Sequence, residues 1–599
     1  MQPLTFVRRF CGRLWIADCE RNTVGSLGFL IRSNRIEIEK EDKTVNLDHG
    51  EPRSMTERTP YSLSQADVPI LRESLRKMAA AGYSESRVRG RLGLEDLADL
   101  QWRHVPIYRS EHLADRDTLA LAIDLFLLQG SLSAAEIARL FTAAELAVLM
   151  RAGLVAIVQN QTNHAETDGG NEDGTTVARA RASLFPVGDR LIFSDHAWPE
   201  LPHPGYATVP CDHVMAIGPD SRKLARCTVR RPFRFALDLC TGSGIQALLA
   251  SAHSGHVLAV DINPRAAQCA RFNALAAGVT NLEVSAGDLF EAVKGERFDL
   301  ITANPPFVPS PVDAVQFRDG GRSGEDIQRR IVAGLPQHLA PDGMAQLVTE
   351  LGERDGEPPV RRLREWLRGA PMDIHILRLG EHAALQYAIA HAKGDNYEAF
   401  LDSTNDWAGN LRAQGYVRVV SLVISLQWSD PTLGPPWERV DESPPPRRVA
   451  GAEIDAAFLA ERSTRGRDWQ QLLKHSRLRR AGSIAVLDAK VLGSGVLAKV
   501  KATLLGQALK IEYQLDPVER DILQLMHGDG DSGGEGDRCI TVPDLIASVR
   551  NCNEAAVLAA ARSLVRRQLV HIDMPPWHQI DSHFPDGNSL RLRCENRLV

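Results

Sequence analysis

No run in the sequence approaches the roughly twenty consecutive apolar residues that cross a bilayer, and the start lacks the charged, apolar and cleavage-site succession of a secretory signal. The expectation is a cytoplasmic protein with no membrane partner. A basic excess is missing too. The formal net charge is −6, so no global positive field recruits nucleic acid, and any such binding would rest on a local patch. The nine cysteines (Cys11, Cys19, Cys211, Cys227, Cys240, Cys269, Cys539, Cys552, Cys594) are scattered without a C-x-x-C pair. That removes the usual zinc and redox motifs and leaves reduced thiols in packing roles, with no metal site expected.

What is present is ordinary globular material, 44% hydrophobic and 24% charged. At 599 residues the chain exceeds what one hydrophobic core organises, and length alone suggests roughly three or four domains. Residues 1–54 alternate short apolar pieces with polar ones and read as an extension without a packed core, open to disorder or to a strand pair packing elsewhere. A second methionine, Met55, precedes the first convincing helical pattern, so this segment is read as an over-called start or a dispensable extension. Residues 55–158 form a helical N-terminal domain, with three- and four-residue apolar spacing at Val68, Leu71 and Leu75 and again over 119–126. Its last part, 133–158, reads as helix, helix, strand, a winged-helix-like order without a dense basic face on the second helix. Residues 159–231 are expected to hold a small β element and a segment on the cofactor side. Within it 163–176 reads as a solvated loop tip, and Ala178 to Ala182 and Arg190 to Ser194 flank a turn at Pro186-Val187-Gly188-Asp189. Residues 431–448 read as a proline-rich connector. The last module, 450–599, predicts helices opening at Asp516-Pro517 and Thr541-Val542-Pro543, a third helix over 554–567 and a strand after it. A Gly/Asp loop over 527–537 carries no core residues and is expected to be disordered.

The chemistry begins at Phe235-Ala236-Leu237-Asp238-Leu239-Cys240-Thr241-Gly242-Ser243-Gly244-Ile245, an apolar strand entering a glycine turn and then a helix over 246–252. Such a turn brings backbone N–H groups and a helix N-terminus against a ligand. A second strand, Val257 to Val260, ends in Asp261, 19 residues beyond Gly242, where a carboxylate accepts from ribose hydroxyls. These two signals do not separate a dinucleotide enzyme from a methyltransferase. The next two do. Leu282-Glu283-Val284 leads to Gly287-Asp288-Leu289, an acidic strand end suited to an adenine amino group. Phe298 to Ala303 is then a fourth strand, ending in Asn304-Pro305-Pro306-Phe307.

This ordered set resembles class I S-adenosylmethionine-dependent methyltransferases of the Asn-Pro-Pro-Phe type, the methyltransferase small domain, which act on amino and amide nitrogens. The resemblance implies a Rossmann-like seven-stranded α/β domain over 232–380, completed with the connector over 381–449. A helical N-terminal domain would flank it on one side and a C-terminal winged-helix-like module on the other. It implies S-adenosyl-L-methionine as cofactor, held by Asp238, Cys240, Thr241, Gly242, Gly244, Asp261, Ile262, Asp288, Leu289 and Asn304, with Asp238 and the glycines flanking the methionine part. Cys240 stands where many such enzymes have glycine.

The tetrad has a physical rationale. An amide or aromatic NH2 has its lone pair delocalised into a π-system. The Asn304 side-chain carbonyl and the Pro305 backbone carbonyl can each accept one N–H and hold the nitrogen in line with the methyl group. Pro305 and Pro306 stiffen the loop, and Phe307 offers a face to a planar group. The run Arg318-Asp319-Gly320-Gly321-Arg322-Ser323-Gly324-Glu325-Asp326-Ile327-Gln328-Arg329-Arg330 is similar to that of the release-factor glutamine N5 methyltransferases and favours a protein glutamine side chain. The alternative is an RNA or DNA base (adenine N6 or guanine N2), because long flanking domains also resemble small-domain enzymes of ribosomal RNA, and Arg318, Arg322, Arg329 and Arg330 would line a phosphate path. A cofactor-binding module without catalysis is the rival of another class. The expected partner is therefore a macromolecule, a release-factor-like protein or RNA.

Overall fold

The alternation of apolar strand and helix after Phe233 becomes the centre of the molecule. The computed structural model describes residues 60–159, 176–196, 210–312, 315–394, 396–442, 451–465, 469–474, 476–480, 484–490, 497–504, 512–526, 539–549, 552–567 and 569–573. The largest sheet has eight strands: β1 (Phe233–Leu239), β2 (Ser254–Asp261), β3 (Leu282–Ala286), β4 (Phe298–Ala303), β5 (Leu339–Arg354), β6 (Met372–Ala383), β7 (Tyr416–Trp428) and β8 (Glu438–Glu442). Their spatial order is β8-β6-β7-β5-β4-β1-β2-β3. β3, β2, β1, β4 and β5 are mutually parallel, whereas β7 runs antiparallel to both β5 and β6. The order reverses beside β1, so the carboxyl ends of β1 and β4 open a crevice where ligands bind in such sheets.

Parallel strands buried on both faces need apolar residues throughout and helices on each side. On one face, α1 (Pro219–Cys227) and α2 (Ile245–Ala250) bring Leu224, Cys227 and Ala247 against Ala236, Leu300 and Val348. On the same side of β2, α3 (Pro264–Ala277) meets the small β element and the N-terminal domain through Phe272, whose ring lies 5.6 Å from that of Phe193 and 5.9 Å from that of Tyr61. The opposite face is covered by α4 (Asp326–His338) and α5 (Pro359–Trp366), with Ile331, Leu335 and Leu363 over Leu237, Ile301 and Ile374. Between β6 and β7 the chain inserts a helical hairpin, α6 (Ala384–His391) and α7 (Tyr397–Ala413).

The seven strands that the resemblance implies are there, and β8 extends their edge. The stretch read as a connector thus gives five residues, Glu438–Glu442, to the sheet. Composition hid this because the strand is held by pairing rather than by apolar residues: Asp441 accepts from the wholly buried His375 at 2.9 Å and from Arg439 at 2.7 Å. A second difference lies upstream. Thr176–Ala180 pairs with Val155–Gln159, and the partner of Arg190–Ser194 is Ser183–Val187. The turn is correspondingly tighter, with Pro186 inside the first strand of a two-stranded ribbon, an edge position that tolerates a missing N–H.

In the N-terminal domain, Ser133 with Glu136 and Thr142 with Glu145 form capping boxes that start consecutive helices, Ala134–Leu140 and Ala143–Arg151. In the last module Asp516 and Thr541 cap Pro517–Leu525 and Val542–Ser548, and Glu554–Arg566 leads to the strand Val570–Asp573. That strand and Cys539–Thr541 flank Arg477–Arg480 in a small sheet. The expectations for 1–54, for 163–175 and for 527–537 lie outside the described residues. Among the described residues no helix is long and apolar enough to cross a membrane.

Candidate active site

At the end of β1 the chain turns through Cys240 to Gly244 and enters α2. Cys240 has φ 55°, in the left-handed region where a Cβ is strained, which explains why glycine is the usual choice at this position. Asp238 does not reach the cleft. It is 1% exposed and accepts from the Thr241 hydroxyl (2.6 Å), the Thr302 hydroxyl (2.8 Å) and the Ala247 N–H (3.2 Å). Burial pushes its carboxyl up to about 7, against those hydrogen bonds. Its contribution is to hold the turn in shape from below.

Asp261, at the end of β2, accepts from the Gly242 N–H at 2.8 Å through one carboxylate oxygen and from the Asn263 N–H at 2.9 Å through the other. Each oxygen keeps a second lone pair. Burial raises its carboxyl above the usual range. Asp261 lines a cleft with Cys240, Thr241, Gly242, Ile262 and Asn263, enclosing about 760 Å³ of empty space, its open mouth included. Ile262 is 49% exposed there, an apolar face beside the Asp261 carboxylate. The opposite wall is built by Cys211, His213, Val214, Met215, Gln316 and Phe317.

That wall is fixed by the small β element, with Tyr61 of the N-terminal domain and Arg265 of α3. Asp195 accepts from the Tyr61 hydroxyl (2.8 Å), from Arg265 Nη2 (2.7 Å) and from the Val214 N–H (2.8 Å). Asn263 Nδ2 donates to the Asp212 carbonyl at 2.8 Å. His213 stands 3.4 Å from Asp195 and 5.3 Å, ring to ring, from Phe317, and burial lowers its pKa. Asp212 and His213 are accordingly structural partners of this wall.

Asn304 follows β4 directly and lines the same cleft with Pro306. Its Nδ2 donates to Ser221 Oγ at 3.2 Å. The glycine-containing run after the tetrad folds back onto it: the Val308 N–H donates to the Arg318 carbonyl (2.9 Å), and the Gly320 N–H donates to the Val308 carbonyl (3.0 Å). A Cβ at Gly320 would stand 2.7 Å from the Gly324 carbonyl oxygen and 2.8 Å from that of Pro306, and one at Gly324, where φ is 74°, 2.9 Å from Pro309 N. These glycines let two backbones touch, and the touch sets the course of the tetrad. Asn410 on α7 adds hydrogen bonds to the Pro309 carbonyl (3.2 Å) and the Arg322 carbonyl (2.9 Å).

Five further expected residues sit elsewhere. Phe307 is 8% exposed and packs with Tyr387, Trp407 and Leu411, because the α6–α7 insertion covers the side where its ring would meet a planar group. Pro305 is likewise buried, leaving its backbone as the relevant part. Asp288 pairs with Arg330 at 2.8 Å, and Leu289, with φ 48°, is buried in the core beside Phe290; neither borders the cleft. Gly244 caps α2 outside the lining. The sequence reading missed Ser221, Gln246, Gln316 and Phe317, all on the cleft wall. Glu350, near the carboxyl end of β5 but outside the cleft lining, accepts from the Tyr387 hydroxyl at 2.7 Å and is pushed up to about 6 by burial. Among the described residues no group of three His, Cys, Asp or Glu side chains gathers to hold a metal ion.

This sheet order, glycine turn, strand-end carboxylate and Asn-Pro-Pro loop define a Rossmann-like class I methyltransferase domain. Residues 216–355 match the methyltransferase small domain, and residues 80–165 match a domain of unknown function (DUF7059). The chain is 40% identical over 129 residues to the ribosomal protein uL3 glutamine methyltransferase of Bradyrhizobium diazoefficiens, covering 19% of this chain and 40% of that protein. It is 36% identical over 152 residues to the release factor glutamine methyltransferase of Cereibacter sphaeroides, covering 23% and 54%. A third relative, the ribosomal protein uL3 glutamine methyltransferase of Bordetella pertussis, is 38% identical over 143 residues, covering 21% and 47%. The chain spans about half the length of the curated relatives it matches.

Proposed function

We propose that the chain transfers a methyl group from S-adenosylmethionine to the amide nitrogen of a glutamine side chain in a protein substrate of the translation apparatus. The observation that carries this reading is Asn304, placed on the cofactor cleft with Nδ2 engaged by Ser221, so that Oδ1 is left for an incoming N–H. The residues fit the cofactor: Asp261 has free lone pairs for ribose hydroxyls, Ile262 offers an apolar face to an adenine, and the Thr241–Gly244 turn admits the methionine part. Asp288 would reach an adenine amino group only by loosening its pair with Arg330. The cofactor supplies a methyl group on a sulfonium, an activated leaving group. Asn304 Oδ1 and the Pro305 carbonyl accept the two amide N–H groups and favour a pyramidal nitrogen, turning its lone pair toward the methyl group; as the N–C bond forms and the S–C bond breaks, one of the two N–H protons is given up to water. The phosphate path of the nucleic-acid alternative loses support, since Arg318 pairs with Asp319 (2.7 Å), Arg329 with Asp326 (2.7 Å) and Arg330 with Asp288 (2.8 Å).

The test is transfer of tritiated methyl groups to recombinant ribosomal protein uL3, recombinant release factor and total RNA from the source organism. Label that survives nuclease, is released by protease and maps by mass spectrometry to N5-methylglutamine is the expected result. Label confined to RNA would replace this reading with the base-directed one.

A further inference from the structure

Asn304 can serve as an acceptor only if its amide is turned the right way. The two ends of a carboxamide are nearly the same size, so shape alone does not choose between them. Oδ1 faces an acceptor N–H only when Nδ2 is taken up by a lone pair on the other side. Ser221 Oγ accepts from Nδ2 at 3.2 Å, an arrangement in which the hydroxyl's own proton is directed away from the amide. Ser221 is 4% exposed and lies in the first turn of α1, an element the tetrad motif does not include.

Two further contacts keep Ser221 itself in place. Its carbonyl accepts from Gln246 Nε2 at 2.7 Å, and Gln246, also 4% exposed, is the second residue of α2, directly after the glycine turn. The next residue of α1, Arg222, reaches the N-terminal domain. It donates to Asp96 at 2.9 Å and also pairs with Glu85. Ser221 is therefore tied on one side to the cofactor turn and on the other to the helical domain.

We propose that Ser221 is a positioning residue that fixes the Asn304 amide with Oδ1 toward the acceptor nitrogen; this rests on the methyltransfer reading given above. Its effect belongs to the acceptor step and not to cofactor binding.

The experiment is a double-mutant cycle on the full chain, with ribosomal protein uL3 and release factor as methyl acceptors and S-adenosylmethionine affinity measured by calorimetry. Ser221→Ala is expected to lower kcat about five- to twentyfold, as for one modest orienting hydrogen bond, with cofactor affinity within twofold of the parent. Ser221→Thr keeps the hydroxyl and is expected to recover most of the loss. In an Asn304→Ala background, Ser221→Ala is expected to change kcat by less than twofold, because the group it orients is gone. Equal losses in both backgrounds would show a general packing role and overturn the inference, as would parent kcat in Ser221→Ala. If Asn304→Ala alone leaves kcat unchanged, the methyltransfer reading of the tetrad fails, a result distinct from failure at Ser221.

Discussion

Gly324→Ala tests whether the glycine run is there to shape the tetrad. The substitution places a Cβ on a residue with φ 74° and 2.9 Å from Pro309 N, with the Phe307 carbonyl oxygen closer still. The left-handed backbone alone costs about 1–2 kcal/mol for a residue with a Cβ. The contacts are backbone to backbone, so no flexible side chain relieves them, and 307–309 has to retreat by several tenths of an ångström. Together about 3 kcal/mol is expected, which lowers the Tm of a domain of this size by roughly 6–12 °C. The functional effect is sharper, because Asn304 lies only three residues before Phe307, and displacement of a reacting group by a fraction of an ångström reduces turnover by roughly tenfold to a hundredfold. Cofactor affinity changes little, since Asp261 and the Thr241–Gly244 turn lie on other elements. The assay is methyl transfer to the protein acceptor beside calorimetric cofactor titration and a thermal melt. Parent turnover in a folded Gly324→Ala protein would refute the coupling between the run and the tetrad.

Asp261→Ala is expected to weaken S-adenosylmethionine binding by about 1.5–3 kcal/mol for each charge-assisted hydrogen bond lost, read as the calorimetric Kd; an unchanged Kd would place the ribose elsewhere. Asp238→Asn addresses pH. The folded carboxyl sits at about 7 against an ordinary 3.8, so the folded state holds the proton more tightly. The stability this gives is complete below about pH 4 and is lost as pH rises through 7. The Asn variant should therefore gain Tm relative to the parent across that window, and parallel Tm curves would contradict the assignment. Arg222→Met removes, at a position 3% exposed, the guanidinium that pairs with Glu85 and one of the two that pair with Asp96, Arg226 keeping the other. It is expected to cost about 3–5 kcal/mol, seen as a lower melting temperature, and an unchanged melt would mean that the contact between α1 and the N-terminal domain is not stabilising.

The centre of the domain was legible because it is local: strand, glycine turn, helix and strand-end acid recur in order from Phe235 to Asn304, and each signal spans a few residues. β8 was not, since it is held by polar pairing, Arg439 with Asp441 and Asp441 with His375, rather than by apolar residues. The orientation of Phe307 escaped for another reason. Whether an aromatic beside the tetrad meets the ligand or the core depends on α6 and α7, which follow it by some eighty residues and contact it only in three dimensions. Ser221 was hidden in the same way, as one serine among many until α1, packed on β5 and β7, brings it to Asn304. Asp238 shows the converse case: its position in the motif is right, yet its carboxylate faces inward to Thr241 and Thr302, so the residue shapes the site without bordering it.

The most direct measurement of the central claim is the turnover of Asn304→Ala set beside its cofactor affinity. The lost acceptor matters most when the amide nitrogen pyramidalises, so kcat should fall by roughly a hundredfold or more, while the Kd for S-adenosylmethionine stays within a few-fold of the parent. Asn304→Asp keeps the shape and an acceptor oxygen but adds a charge and removes the donor to Ser221, and it should also be impaired. An Asn304→Ala protein that binds the cofactor and methylates its protein acceptor at the parent rate would contradict the mechanism.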